Sequence, residues 1–257
     1  MSAASAHAPQ LPPEDEGLFG SGQSLLDHLD ELRKRILRAC IAVGIGAVVA
    51  FAFIERIVNF VLAPMRKALP PGSVLIYTNP GEAFSLWIEI AMIAGVVFAA
   101  PVIMYQVWRF IAPALYSKEK WFAIPFVGLS SCGLVAGALF SHYIVFPYMI
   151  EFFGTFSGPG LQFMPRLEDA FSLYTTMLLG MIVVFQMPTL VFFLAKMRLV
   201  SARFLWRHLK YAILLIFIIS AVATPSSDPW NQTVFAVPMI GLYLLSIGIA
   251  WLAAPRQ

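Results

Sequence analysis

Charged side chains are scarce in this chain. Asp, Glu, Lys and Arg make up 12% of 257 residues, about half the roughly 25% of an ordinary soluble domain. With 60% hydrophobic residues and a mean hydropathy of +0.80, there is too little polar surface to face water on all sides. Cysteine is nearly missing: Cys40 and Cys132 fall in separate apolar runs, which excludes a disulfide framework or a metal-ligand spacing. Both are expected to be buried structural thiols. The first 23 residues lack any apolar stretch and so cannot be a secretory signal. Their Pro9, Pro12, Pro13, Glu14, Asp15 and Glu16 fit a disordered cytoplasmic tail over 1–23. No P-loop or Rossmann glycine pattern is present, nor an H-E-x-x-H. The Gly128 to Gly133 stretch around Ser130 and Ser131 lacks the spacing of a G-x-S-x-G nucleophile turn, and Ser130 to Gly137 fits a small-residue packing face instead. No catalytic group, cofactor, metal or nucleic-acid surface is therefore expected. No internal repeat is visible either, which weighs against an inverted-repeat transporter.

What the chain has instead is long apolar runs. Each approaches the twenty or so residues a helix needs to cross about 30 Å of hydrocarbon. Six spans are expected: about 36–53, 84–108, 121–146, 172–194, 211–223 and 234–254. Ser24 and Asp27 form a capping-box pattern, and Leu25, Leu29, Leu32 and Ile36 recur at helical spacing, so an amphipathic helix should begin at Ser24 and run into the first span. Positive charge in short loops stays on the cytoplasmic side. Of the 17 Lys and Arg, only Arg56, Arg66, Lys67 and Arg166 fall opposite the side that this rule makes cytoplasmic. Both ends are therefore placed in the cytoplasm, with a membrane domain over 24–254 and a short C-terminus over 255–257.

The fifth span is anomalous, since its apolar part at 1.5 Å per residue covers only about 20 Å. Such a span must thin the bilayer or lie against other protein. An amphipathic piece from Arg56 to Leu69 is expected to lie on the membrane, broken at Pro64. A loop is expected from Pro147 to Phe171. Pro101, Pro125, Pro188 and Pro238 fall inside spans and allow kinks, so the six helices should pack as a curved, concave all-α bundle. Polar groups at membrane depth are costly and default to a functional hypothesis. Gln186, beside Pro188, is the deepest and is assigned a partner-binding or packing role. Glu89 lies nearer an interface. A small-solute transporter or channel is the alternative reading, but it needs polar groups along a midplane path, and spans 1, 5 and 6 offer none that are charged.

Several local patterns occur in order: LLDHLDELRKR at 25–35, YQVWRFIAPALYSKEK at 105–120, Val145 to Pro147, F-Q-x-P at 185–188 and Thr224-Pro225. Together they resemble the TatC family, the large polytopic receptor subunit of the twin-arginine protein translocase. The resemblance implies an integral protein of the cytoplasmic (inner) membrane that exports folded precursors, driven by the proton-motive force. It implies that Glu31 and Glu119 read the signal peptide's arginine pair at the cytoplasmic face, with Arg33 and Phe110 also in the recognition site. Carboxylates suit this task because two fixed acceptors can take paired hydrogen bonds from planar guanidinium forks. Pro64 and Pro101 match family prolines that shape the walls. Asp228 falls in a loop one residue longer than the family's T-P-P-D form. TatA-like and TatB-like single-span partners are implied around the short fifth span, as is self-association in the complex. His142 and Glu89 depart from the family pattern, outside the recognition motifs.

Overall fold

The computed structural model describes residues 16–111, 123–158, 160–224 and 228–253, with side chains over 29–110, 124–158, 160–224 and 228–252. Among these residues every regular element is a helix, and the only β pairing is in isolated bridges such as Ile76 with Arg166. Helix α1 spans Glu16–Ala52. It thus starts inside the stretch expected to be disordered, and Ser24 sits within the helix rather than capping it. Once the periodic segment from Leu25 onward has nucleated, each further residue adds a hydrogen bond for little entropy, so the helix extends backward.

A turn at Phe53, whose N–H donates to the Ala50 carbonyl at 3.0 Å, leads into α2, Ile54–Ala68. Its buried Ile54, Val58, Val61, Leu62 and Met65 recur every three or four residues, the stripe of an amphipathic helix. Pro64 lies inside this helix and does not break it, contrary to expectation. The proline is itself buried on the packed face, and that packing offsets the roughly 3 kcal/mol of an interior proline.

Helices α3, Glu82–Phe98, and α4, Ala100–Ile111, are bent by 56° at Ala99, just ahead of Pro101. The proline ring denies Val97 its amide partner, which allows the bend. Helix α5, Ala123–Phe140, passes through a widened turn at Ser141–Val145 into α6, Phe146–Gly154. There the Phe146 N–H donates to the Ser141 carbonyl, five residues back. In a regular α-turn the Pro147 ring would meet the Tyr143 carbonyl, and the widened turn avoids it. The helix therefore continues to Gly154 where a loop from Pro147 is expected. Helices α7, Leu167–Val184, and α8, Met187–Lys196, join at Phe185 and Gln186 ahead of Pro188. Short α9, Ala202–Arg207, is capped by Ser201 Oγ, which accepts the Phe204 N–H at 3.2 Å. Helices α10, Leu209–Ala223, and α11, Pro229–Ala253, complete the bundle.

Four described stretches are long and apolar enough to cross a bilayer: Leu29–Ala52, Ile124–Gly154, Leu167–Lys196 and Pro229–Leu252. The bent α3–α4 pair counts as a fifth. Helix α10, at 15 residues, rises only about 22 Å and falls short. Two large apolar clusters hold the bundle together, beside a smaller one of Trp108, Phe126 and Phe193. One gathers Ile90, Phe146, Phe171 and Tyr174, the other Met177, Met181, Phe235 and Met239. Elsewhere the helices turn apolar side chains outward, as at Val48, Val183, Ile218 and Val222. This corrects the expectation for Cys40 and Cys132, which are exposed: in a membrane helix, apolar sequence marks contact with lipid as readily as a protein interior.

Candidate functional site

The position of Glu31 follows from how α1 packs. Along α1 the least exposed residues are Arg35, Gly46 and Ala50, with Glu31, Leu32, Ala39, Ala42 and Val43 half-buried, so one helical face meets the bundle. Gly46 and Gly95 set the register. A Cβ on Gly46 would stand 2.7 Å from the Gly95 carbonyl oxygen, and one on Gly95 would stand 2.6 Å from the Ala47 nitrogen. Helix α1 also packs on α4 but ends at Ala52, so that contact is made by residues before Gly46 and the two run antiparallel. Fifteen residues back from Gly46 is Glu31, and fifteen on from Gly95 is Phe110. Glu31 therefore lies about 22 Å along α1 from the glycine crossing, and Phe110 lies toward the same end of the bundle, beyond the 56° bend at Ala99.

Glu31 accepts a hydrogen bond and ion pair from Arg35 one turn on, the favourable order for such a pair. The two are unequally placed: the Glu31 side chain is 39% exposed and that of Arg35 only 8%. Arg35 Nε and Nη1 are buried without a partner among the described residues, as is Gln106 Oε1 on α4. Arg33 is exposed and Phe110 half-buried. Arg109 lies over the Tyr105 ring at 5.9 Å. The end of α4 is pinned by Trp108, whose ring stands 5.1 Å from that of Phe126 on α5 and 5.4 Å from that of Phe193 on α8. Both flanks of the 112–122 segment are thus fastened to the same aromatic group. Glu119 itself lies outside the described residues.

The other expected residues lie away from this end. Gln186 Nε2 donates to the Ser130 carbonyl at 3.1 Å, beside Gly133, where a Cβ would stand 2.9 Å from the Phe185 carbonyl. Its amide nitrogen thus joins α5 to the α7–α8 junction. Asp228 caps α11: its carboxylate accepts the Asn231 N–H at 2.8 Å and the Asn231 side-chain amide at 3.0 Å. Pro64 and Pro101 occupy the packed face of α2 and the α3–α4 bend. Glu89 is exposed and lines a polar cleft with Glu82 and Glu168.

Three features were not expected as structural elements of a site, His142 having been noted only as a departure from the family pattern. Glu82 is buried and accepts hydrogen bonds from Arg166 Nη2 at 3.0 Å, Thr78 Oγ1 at 3.1 Å and Asn79 Nδ2 at 3.0 Å. That bond to Glu82, aided by the nearby Asp169 and Glu168 charges, raises the Arg166 guanidinium above its usual value. His142, at the widened turn, is buried, with Nδ1 3.1 Å from Tyr174 Oη and Phe60 stacked on its ring at 4.1 Å. The third is the deep burial of Arg35. Spacing shows its pairing with Glu31, but a charged residue in a basic run carries no signal that it will be buried.

The family model described as Sec-independent protein translocase protein (TatC) matches residues 27–238. A Sec-independent protein translocase protein TatC of Koribacter versatilis is 42% identical over 241 residues, 92% of this chain and 88% of that protein. The protein of that name from Escherichia coli K12 is 32% identical over 225 residues, 88% of this chain and 87% of its own length. The crystal structure of a twin-arginine translocase receptor TatC superposes with a TM-score of 0.76 at 34% identity, over 88% of this chain and 99% of that one. With the family model spanning most of the chain and the helical arrangement shared, the chain belongs to the TatC family.

Proposed function

We propose that this protein is the receptor core of a twin-arginine translocase in the cytoplasmic membrane, with six spans and both termini inside. It binds the twin-arginine signals of folded precursors and passes them across with single-span TatA-like and TatB-like partners, using the proton-motive force. The chain acts as receptor and conduit, not as catalyst. One observation carries the reading: Glu31, on the packing face of α1 and toward the same end of the bundle as Phe110, already accepts a guanidinium, that of Arg35. A carboxylate so placed has the geometry to take a guanidinium from another chain. In the proposed site Glu31 meets one signal arginine and Glu119 the other, while Arg33 and Phe110 border the bound segment. The short α10 is where partner helices gather, because a helix of about 22 Å leaves a thinned rim that neighbouring protein covers better than lipid.

The test is retention of a twin-arginine signal peptide on the detergent-solubilised protein, beside its twin-lysine counterpart. Retention of the first and not the second, lost in Glu31→Gln and Glu119→Gln, is the expected result. Equal retention of both peptides, or unchanged retention in both variants, would overturn the site.

A further inference from the structure

A cavity of about 310 Å³ opens between α2, α3, α5 and α7, bordered by Arg56, Phe60, Ala94, Phe98, Ala138 and His142. Its walls are almost wholly hydrocarbon. His142 and Tyr174, the polar lining groups besides Arg56, face each other, and the Phe60 ring covers one side of the imidazole. Phe60 and Phe98 are 45% and 55% exposed, so the cavity opens sideways onto the surface that apolar side chains turn to lipid. Water has too few partners to fill such a space, and leaving it empty forfeits the dispersion contacts of its walls.

We infer that this cavity holds an acyl chain of a phospholipid whose phosphate is bound by Arg56. A flexible alkyl chain has no fixed width and matches walls that are almost wholly hydrocarbon. Arg56 supplies the head-group contact. It lies one turn before Phe60 on the same face of α2, is exposed and enters no ion pair among the described residues. Its guanidinium fork matches two phosphate oxygens. Arg56 also follows the end of α1 by a single turn, so the lipid belongs to the leaflet on the side away from Glu31. The site needs no signal peptide and is read without one.

The experiment is native mass spectrometry of the full-length protein, delipidated in detergent and titrated with phosphatidylglycerol, with diacylglycerol or with inorganic phosphate. The wild-type protein is expected to keep one phosphatidylglycerol and to bind diacylglycerol weakly, with no phosphate adduct. Arg56→Gln should weaken phosphatidylglycerol about tenfold and leave diacylglycerol unchanged. Ala94→Phe, which fills the cavity, should abolish both. Ala138→Leu provides a second filling variant should the first not fold. Undiminished phosphatidylglycerol in a folded cavity-filling variant would overturn the inference. So would a phosphate adduct without lipid that Arg56→Gln removes, or a single-span protein found in the cavity in place of lipid.

Discussion

Gly46 of α1 and Gly95 of α3 touch backbone to backbone, with room for a Cβ on neither. That crossing fixes how far along α4 the Glu31 carboxylate stands. Alanine at either position would meet a carbonyl or amide that cannot move aside. Gly46→Ala or Gly95→Ala should cost about 1–3 kcal/mol, read as a lower thermal midpoint in detergent, and should weaken signal-peptide retention by shifting Glu31 against Phe110. A variant as stable as wild type would show that the helices do not approach this closely.

Replacing Glu31 has two separable effects. Alanine removes the acceptor of a buried guanidinium and should cost about 1–2 kcal/mol of stability, the value being discounted because the carboxylate is partly exposed. Glutamine keeps an acceptor oxygen for Arg35 but loses the charge. Glu31→Gln should therefore melt near wild type while losing at least about tenfold in twin-arginine peptide retention. Glu31→Gln that binds as wild type does would exclude a charge-based role.

Gln186 is a cross-link between helices in this structure. Interhelical hydrogen bonds in membranes average about 0.6 kcal/mol, so Gln186→Leu should be a mild change in detergent stability. Gly133→Leu at the same crossing should be the more severe, because a side chain there meets the Phe185 backbone. A milder effect of Gly133→Leu would count against the crossing as described.

Asp228 accepts two hydrogen bonds from Asn231 at the start of α11. Asp228→Ala should cost about 0.5–2 kcal/mol and Asp228→Asn much less. Thermal melting of the two variants, with signal-peptide retention unchanged in both, is the expected result. Lost retention in a variant that melts normally would give this aspartate a role beyond capping.

The length of α10 can be varied directly. Inserting four leucines would add about 6 Å and bring it to the thickness of an ordinary span. Export of a precursor should fall while peptide retention at the opposite region of the chain is kept. Equal loss of both in a folded protein would separate the short helix from partner recruitment.

Much of this organisation is legible in the sequence because the bilayer imposes length and polarity on each helix. The bend ahead of Pro101 and the shortness of α10 follow from a missing amide and a short apolar run. The close approaches at Gly133 and at Gly137, where a Cβ would stand 2.8 Å from the Met181 carbonyl oxygen, follow from a run of small residues. Prolines mislead where tertiary packing intervenes: Pro64 sits in an unbroken helix and Pro147 in a continuous one, since a buried face or a widened turn absorbs the local cost. Cys40 and Cys132 mislead for a different reason, because hydropathy does not say which face of a span meets lipid. At the candidate site Glu31 and Phe110 lie toward one end of the bundle, while Glu119 lies in the 112–122 segment, outside the described residues.

The widened turn at Ser141–Val145 holds one more residue than a regular coil would. Everything beyond it is rotated by about 100° relative to an unbroken α-helix, and it is this offset that carries Phe146, Met149 and Ile150 to the interior. Shortening the segment by a single residue would unwind that phase, swinging those three outward and presenting their neighbours to the core instead. The angular setting of the whole α6 end thus depends on one supernumerary residue.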